Sequence, residues 1–187
     1  MAASAVELCN LALVRLGFEP VQALSDTNDR ARTANRLYES TRDELLRAHN
    51  WNFAQTRVGL AQLATDPDWG ELFAFQLPTD CLMVLETNLS DDAPWRIEGR
   101  TLVTAEPAVS ILYVARITDP AQFDVGFTEA LVDRLAFHFS YPLTRNAALG
   151  DLLLKKADDS FRRAKSRDGQ EGRALKRWAS DAFTKVR

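Results

Sequence analysis

The chain has 187 residues, of which 46% are hydrophobic and 26% are charged, and its formal net charge at pH 7 is −3. These values are typical of a soluble globular protein of one domain without a basic bias toward nucleic acid, and no stretch approaches the roughly 18 apolar residues of a membrane span. Cys9 and Cys81 stand among apolar residues, which predicts buried free thiols in a reducing, cytoplasm-like compartment.

The charges are unevenly distributed along the chain. Residues 162–187 contain nine Lys or Arg and three Asp or Glu, an excess of six positive charges, so residues 1–161 carry a net charge of −9. An acidic body with a basic tail indicates that the tail has a partner of its own.

The first predicted helix begins at a capping box, in which Ser4 and Glu7 satisfy free N–H groups of the first turn. Gly17 ends this helix. Only Glu7, Asn10 and Arg15 interrupt its apolar surface, so we expect it to be buried on several sides. It is either central in the fold or shared with another subunit.

A second helix is predicted from a cap at Asp26 or Thr27 to about Ala48. On its outer face, Asp43 and Arg47 have the spacing of an i,i+4 ion pair. Its inner face follows alternating steps of three and four residues through Ala31, Ala34, Tyr38, Thr41, Leu45 and Ala48.

Aromatic and amide residues follow this helix at His49, Trp51, Asn52 and Phe53. We interpret them as a structural junction that determines how the helical layer meets the next element. His49 stands where a helix C-terminus is expected, and an imidazolium there interacts favourably with the helix dipole. This pattern favours a structural role for His49 over catalysis.

Between about Arg57 and Arg116 the hydrophobic spacing shortens and turn residues appear. Strands are predicted at 82–85 and 109–115, the second with both faces largely apolar, and a tight hairpin is predicted at 95–103 around Gly99. We interpret this segment as a small antiparallel sheet inserted between helices.

Asp124 caps a third predicted helix with Phe127, Leu131, Leu135 and Phe139 on one face, and Pro142 ends or kinks it. A last helix is predicted from about 146 to 167, and a polar tail follows Asp168. The predicted fold is therefore mainly α (α+β): an antiparallel bundle of about four helices formed by residues 1–56 and 117–168, a small antiparallel β-sheet insertion at 57–116, and an extended C-terminal docking tail at 169–187.

No pattern of an enzyme site is present in the sequence. Two cysteines and the distant His49 and His138 do not make a zinc ligand set, and there is no glycine-rich phosphate loop or serine nucleophile elbow. We expect His138 to be a core or interface residue. The carboxylate pairs Asp91-Asp92 and Asp158-Asp159 fit a solvated surface better than a glycosidase pair. We expect no catalytic residue, metal or cofactor.

The basic tail allows two interpretations. It is either a nucleic-acid arm that neutralises phosphates, or a docking arm that meets an acidic surface. Docking is favoured because two aromatic residues are few for a base-stacking platform, yet enough to anchor a tail that folds on binding. The docking residues would be Arg173, Lys176, Arg177, Trp178 and Phe183.

An ordered set of short motifs resembles the tail tubular protein A family, the head-to-tail adaptors of short-tailed bacteriophages. The resemblance covers about residues 5–145. It rests on Leu16-Gly17 with Pro20, Tyr38, Arg42-Asp43 through His49, Trp51 to Ala54, Leu77-Pro78 with Asp80 to Leu82, Glu98-Gly99-Arg100, Tyr113-Val114 with Arg116, Asp119-Pro120, Phe123-Asp124, Glu129-Ala130-Leu131 and Pro142-Leu143.

This resemblance implies a non-enzymatic virion protein, made in the host cytoplasm, that forms a ring of twelve copies. Such a ring joins the portal protein to the tail nozzle protein, and duplex DNA passes through its lumen without specific binding. Neither a membrane nor a small-molecule substrate is implied. In related connectors the C-terminal segment reaches the portal. The alternatives are a nucleic-acid-binding helical protein that uses the basic tail, and an enzyme acting on cell-surface glycans.

Overall fold

The computed structural model describes residues 4–65, 67, 69, 70 and 73–171. Within these residues there are four α-helices, α1 (Ala5–Arg15), α2 (Asp29–Arg47), α3 (Val125–Thr144) and α4 (Ala147–Glu171). Seven strands lie between α2 and α3: β1 (Gln55–Gly59), β2 (Ala61–Gln62), β3 (Phe73–Gln76), β4 (Cys81–Thr87), β5 (Trp95–Glu98), β6 (Thr101–Thr104) and β7 (Ser110–Ala115). None of the helices in this part of the chain is long and apolar enough to cross a membrane.

The ends of α1 follow from its sequence. The Ser4 hydroxyl accepts the N–H of Glu7 at 3.1 Å, which caps the first turn. At the other end Gly17 has a φ of 80°, and the N–H of Phe18 donates to the carbonyl of Leu13 at 3.0 Å. This left-handed cap suits glycine because glycine has no Cβ to clash. The predicted start and stop of the first helix are confirmed, but the Glu7 carboxylate does not return the second bond of the predicted capping box.

The cap of α2 differs from the prediction. Asn28 caps the helix by accepting the N–H of Ala31 at 2.9 Å, so the predicted caps Asp26 and Thr27 are wrong by one or two residues. The carboxylate of Asp26 instead accepts the N–H of Ala23 at 3.2 Å and closes the preceding turn.

Helix α3 is central in the helical layer and packs against the other three helices. Pro142 does not end it, because the helix continues to Thr144 and ends where Arg145 adopts a φ of 56°. The predicted inner face of this helix is fully buried and consists of Phe127, Leu131, Leu135 and Phe139.

A buried carboxylate joins three of the helices. Asp133 of α3 is only 1% exposed, yet it pairs with Arg15 of α1 and, at 3.3 Å, with Lys156 of α4. A carboxylate removed from water needs such partners. The two cations therefore bring α1 and α4 to α3.

The strands form two antiparallel sheets. Sheet A has the order β1-β7-β4 and sheet B the order β2-β3-β6-β5. In β7, Ile111 and Tyr113 contribute to a hydrophobic core shared with Phe75 and Leu102 of sheet B, whereas Val114 contributes to the core of the helices. Sheet A is thus the middle of three layers, and the prediction that this strand is apolar on both faces is confirmed.

The predicted helix bundle with a small β insertion is wrong. Two sheets with a hydrophobic core of their own make this a mixed α+β fold. Two of the strands were not predicted, for a physical reason. β1 and β2 are edge strands with mostly exposed residues, so they lack the apolar alternation that identifies a half-buried strand.

Arg100 connects the two sheets. It ends the tight turn of the β5–β6 hairpin, which was predicted, and in which Gly99 has a φ of 60°. Its guanidinium donates to the carbonyls of Pro78 and, at 2.8 Å, of Cys81, while its own carbonyl accepts the N–H of Leu77 at 3.0 Å. These bonds fix the hairpin of sheet B against the start of β4 in sheet A.

Polar contacts also hold α2 on sheet A. The carboxylate of Asp43 pairs with Arg116 just after β7 and with Arg42, each at 2.8 Å. The guanidinium of Arg47 donates to the carbonyl of Leu82 in β4 at 2.9 Å. The predicted Asp43–Arg47 pair is therefore wrong, because each side chain has a partner nearer the sheet.

Candidate functional site

The junction after α2 is built around Trp51. Its ring is fully buried, and its indole N–H donates to the carbonyl of Leu45 in the last turns of α2 at 2.8 Å. The ring meets Phe127 of α3 at a centroid distance of 5.1 Å and Phe161 of α4 at 6.0 Å, both edge to face. One side chain thus ties the exit of α2 to two other helices.

The carboxylate of Asp168 completes the junction. It is 5% exposed, and its oxygens accept the backbone N–H of Asn52 and contact Nε2 of His49, each at 2.9 Å. The Asn52 side-chain amide donates to the Asp168 carbonyl at 2.7 Å. We call this set of contacts the Asp168 clamp. It holds the C-terminal part of α4 against the entry to β1.

The position of Asp168 corrects the predicted end of the last helix. The last helix is predicted to end at about Arg167 and the tail to follow Asp168, but α4 continues through Gly169 to Glu171. Asp168 continues the helix face of Ala157 and Ala164, and this spacing was the signal that could have placed it inward. The clamp therefore lies three residues before the end of the described part of α4.

His49 lies just beyond the end of α2, as predicted, but its contact differs from the expected one. Its ring nitrogen pairs with Asp168 rather than with the carbonyl groups that end α2. Its ring also meets that of Trp51 edge to face at 4.8 Å. Phe53 lies beside Phe127 at 5.2 Å, so all four predicted junction residues are brought together, around a partner that the sequence analysis missed.

The predicted docking residues Arg173, Lys176, Arg177, Trp178 and Phe183 lie outside the described residues. The chain nevertheless reaches them from Glu171, one turn beyond the clamp. The clamp therefore holds the last described turn of α4, from which residues 172–187 continue.

His138 lies between α2 and α3. Burial lowers the pKa of its imidazole, and Arg134 acts in the same direction, whereas Glu44 at 3.8 Å opposes them. Its Nε2 has no hydrogen-bond partner among the described residues. The neutral ring is thus the form that this site favours.

The carboxylates of Asp158 and Asp159 are engaged in ion pairs, and both cysteines are buried. Asp158 pairs with Arg134 at 3.0 Å and Asp159 with Arg162 at 2.8 Å, so this carboxylate pair does not face a common cleft. Burial raises the pKa of the Cys9 thiol to about 12, which disfavours the thiolate that reacts as a nucleophile. Across the described ranges, no group of His, Cys, Asp and Glu could hold a metal ion.

A cleft of about 520 Å³ lies between the first half of α2 and the end of α3. Three arginines line it: Arg32 and Arg36 from α2, and Arg145 after α3, whose guanidinium lies 5.9 Å from the ring centroid of Tyr141. We call it the arginine cleft. The cleft was not predicted from the sequence, although the i,i+4 spacing of Arg32 and Arg36 places both on one helix face.

No protein-family model matches the chain, and no curated protein is similar to it at a significant level.

We predict that Asp168→Ala lowers the free energy of unfolding by about 1–3 kcal/mol, because it leaves the partly buried N–H of Asn52 without an acceptor. Asp168→Asn keeps an acceptor oxygen and should lose less. Urea denaturation measures both. The control is Asp159→Ala on the same helix, whose exposed ion pair with Arg162 contributes about 0–1 kcal/mol. An Asp168→Ala protein as stable as this control would contradict the clamp.

We predict that His138 makes folding more sensitive to acid. The pKa of His138 is lowered in the folded protein, so the unfolded chain takes up the proton first as the pH falls. The stability associated with the neutral ring is therefore fully present above the unfolded pKa of about 6.5 and is lost as the pH falls through the folded pKa. His138→Gln should therefore lose less stability than the unchanged protein between pH 7 and pH 5. Thermal unfolding at both pH values tests this, and an equal loss in the two proteins would refute it.

Proposed function

We propose that this protein is a structural head-to-tail adaptor of a bacteriophage, which forms a ring between the portal and the tail nozzle through which DNA passes. The proposal takes its partners from the resemblance described above. The observation that carries it in the structure is the presence of large apolar side chains on the surface of several separate elements.

These exposed side chains lie on different layers of the fold. Leu11 and Val14 of α1 are 48% and 57% exposed, and Leu152 of α4 is 65% exposed. Trp95 and Ile97 of β5 are exposed on sheet B. Single exposed apolar residues are common, but large ones on three elements favour a protein that is contacted on several sides. A ring subunit that also binds a portal and a nozzle needs such surfaces.

The charge distribution supports the same proposal. Residues 1–161 carry a net charge of −9, which disfavours tight contacts with DNA phosphates and so suits a conduit. The C-terminal segment 172–187 follows Glu171, which lies one turn beyond the Asp168 clamp. In this proposal that segment docks on the portal through Arg173, Lys176, Arg177, Trp178 and Phe183.

The proposal predicts that the full chain forms a ring when it is mixed with assembled portal protein. Deleting residues 172–187 should weaken capture by the portal by about tenfold or more, because the charged and aromatic anchors are lost together. Native mass measurement gives the number of copies, and a pull-down on immobilised portal gives the affinity. Undiminished capture of the truncated protein would contradict docking by the tail.

A matched control separates docking from nucleic-acid binding. A variant with Arg173, Lys176 and Arg177 changed to Gln keeps both aromatic anchors and removes three charges. Its binding to duplex DNA should be as weak as that of the full chain across a salt series. Tight DNA binding by the full chain that falls steeply with salt and is lost in this variant would favour the nucleic-acid alternative instead.

A further inference from the structure

The arginine cleft combines charge with apolar surface. Beside Arg32, Arg36 and Arg145, its lining includes Leu37 of α2 and the Pro142-Leu143 segment of α3. Asp29 is the only carboxylate among its described lining residues. The cleft is thus a basic, partly apolar groove in a part of the chain whose net charge is negative.

The three guanidinium groups have little to bind within the described residues. The guanidinium of Arg36 makes no hydrogen bond or ion pair there, and that of Arg32 has only the exposed carboxylate of Asp29, at 3.8 Å. Arg145 is held over the ring of Tyr141. An arginine fork is shaped to receive a carboxylate, so these groups are available for an acidic partner.

The lining of the cleft favours an amphipathic helix over nucleic acid. A duplex is bound through its phosphates along an extended basic surface, and those phosphates make no favourable contact with the apolar side chains of Leu37 and Leu143. A helix with a carboxylate and apolar side chains on one face would pair the carboxylate with the arginines and pack the apolar side chains against the leucines. Such helices enter grooves with anchors spaced i, i+4 and i+7.

The chain itself carries a helix face of this kind. Glu7, Leu11 and Val14 of α1 have the i, i+4, i+7 spacing and are all exposed. The carboxylate of Glu7 has no hydrogen bond or ion pair with the described residues, since only its backbone N–H bonds to Ser4. We call these three residues the α1 stripe. It lies opposite the buried face of α1, which packs in the helical core.

We infer that the arginine cleft of one copy binds the α1 stripe of a second copy, with Glu7 paired to Arg36 and with Leu11 and Val14 packed against Leu37 and Leu143. The inference rests on the proposed ring, for which it names the contact between subunits. The cleft and the stripe share no residue, and a heterologous contact between two different patches is the kind that can close a ring.

The test is a charge exchange in the full chain, with ring formation on the portal and self-association measured by sedimentation. Arg36→Glu and Glu7→Arg should each weaken association by about tenfold or more, since each puts like charges together. The double variant restores opposite charges at every contact and should recover association to within about threefold of the unchanged protein. Leu11→Ser should weaken association without any change in charge.

Two controls change the same charges elsewhere on the surface. Arg57→Glu on β1 and Glu129→Arg on α3 alter exposed residues outside both patches, and they should leave association unchanged. Circular dichroism checks that every variant folds, because Glu7→Arg also removes an acidic residue from the first turn of α1.

The outcomes are distinguishable. If the unchanged protein forms rings and Arg36→Glu forms them equally well, the inference is wrong while the proposed function stands. Loss of duplex DNA binding in Arg36→Glu with unchanged assembly would make the cleft a nucleic-acid site and would also overturn it. If the unchanged protein neither binds the portal nor self-associates, both the proposed function and this contact fail.

Discussion

The buried carboxylate of Asp168 is the contact on which the rest of the helical layer depends. An ionised carboxylate loses several kcal/mol of hydration when it is buried, so it is tolerated only where fixed partners replace the water. Here the partners are the backbone N–H of Asn52 and the ring of His49, which both follow the exit from α2. Trp51, between them, is anchored by its own hydrogen bond to Leu45. If α4 slid along its axis, the carboxylate would lose these partners, so the clamp fixes the position of the helix.

The three layers are joined by a few polar contacts across hydrophobic interfaces. Sheet A contributes to both cores, because adjacent residues of β7 point to opposite faces. Arg116 and Arg100 supply directed bonds at its two sides, one to α2 and the other between the sheets. Directed bonds of this kind fix geometry where apolar packing alone tolerates small displacements. A protein proposed to be contacted on several faces at once requires layers that keep their relative positions.

The sequence predicted those features that depend on neighbours along the chain. The cap at Ser4, the left-handed stop at Gly17, the inner face of α3 and the β5–β6 turn at Gly99 all follow from local rules, and the structure contains them. Features decided by distant partners were missed. Asp43 binds Arg116 instead of Arg47. The side chain of Asp168 binds His49 and Asn52, which lie more than 100 residues earlier in the chain. The extent of the β layer was also missed, since the edge strands β1 and β2 are mostly exposed and carry no periodic apolar signal.

Hydrogen exchange at single residues tests the central role of the clamp most directly. Asn52 begins a short 3-10 helix (Asn52–Ala54), so its backbone N–H has no acceptor within that helix and donates to the Asp168 carboxylate instead. The structure predicts slow exchange of this amide in the full chain, and fast exchange in Asp168→Ala with the amides in the middle of α1 unchanged. Fast exchange of the Asn52 amide in the unaltered protein would show that α4 is not held at the junction.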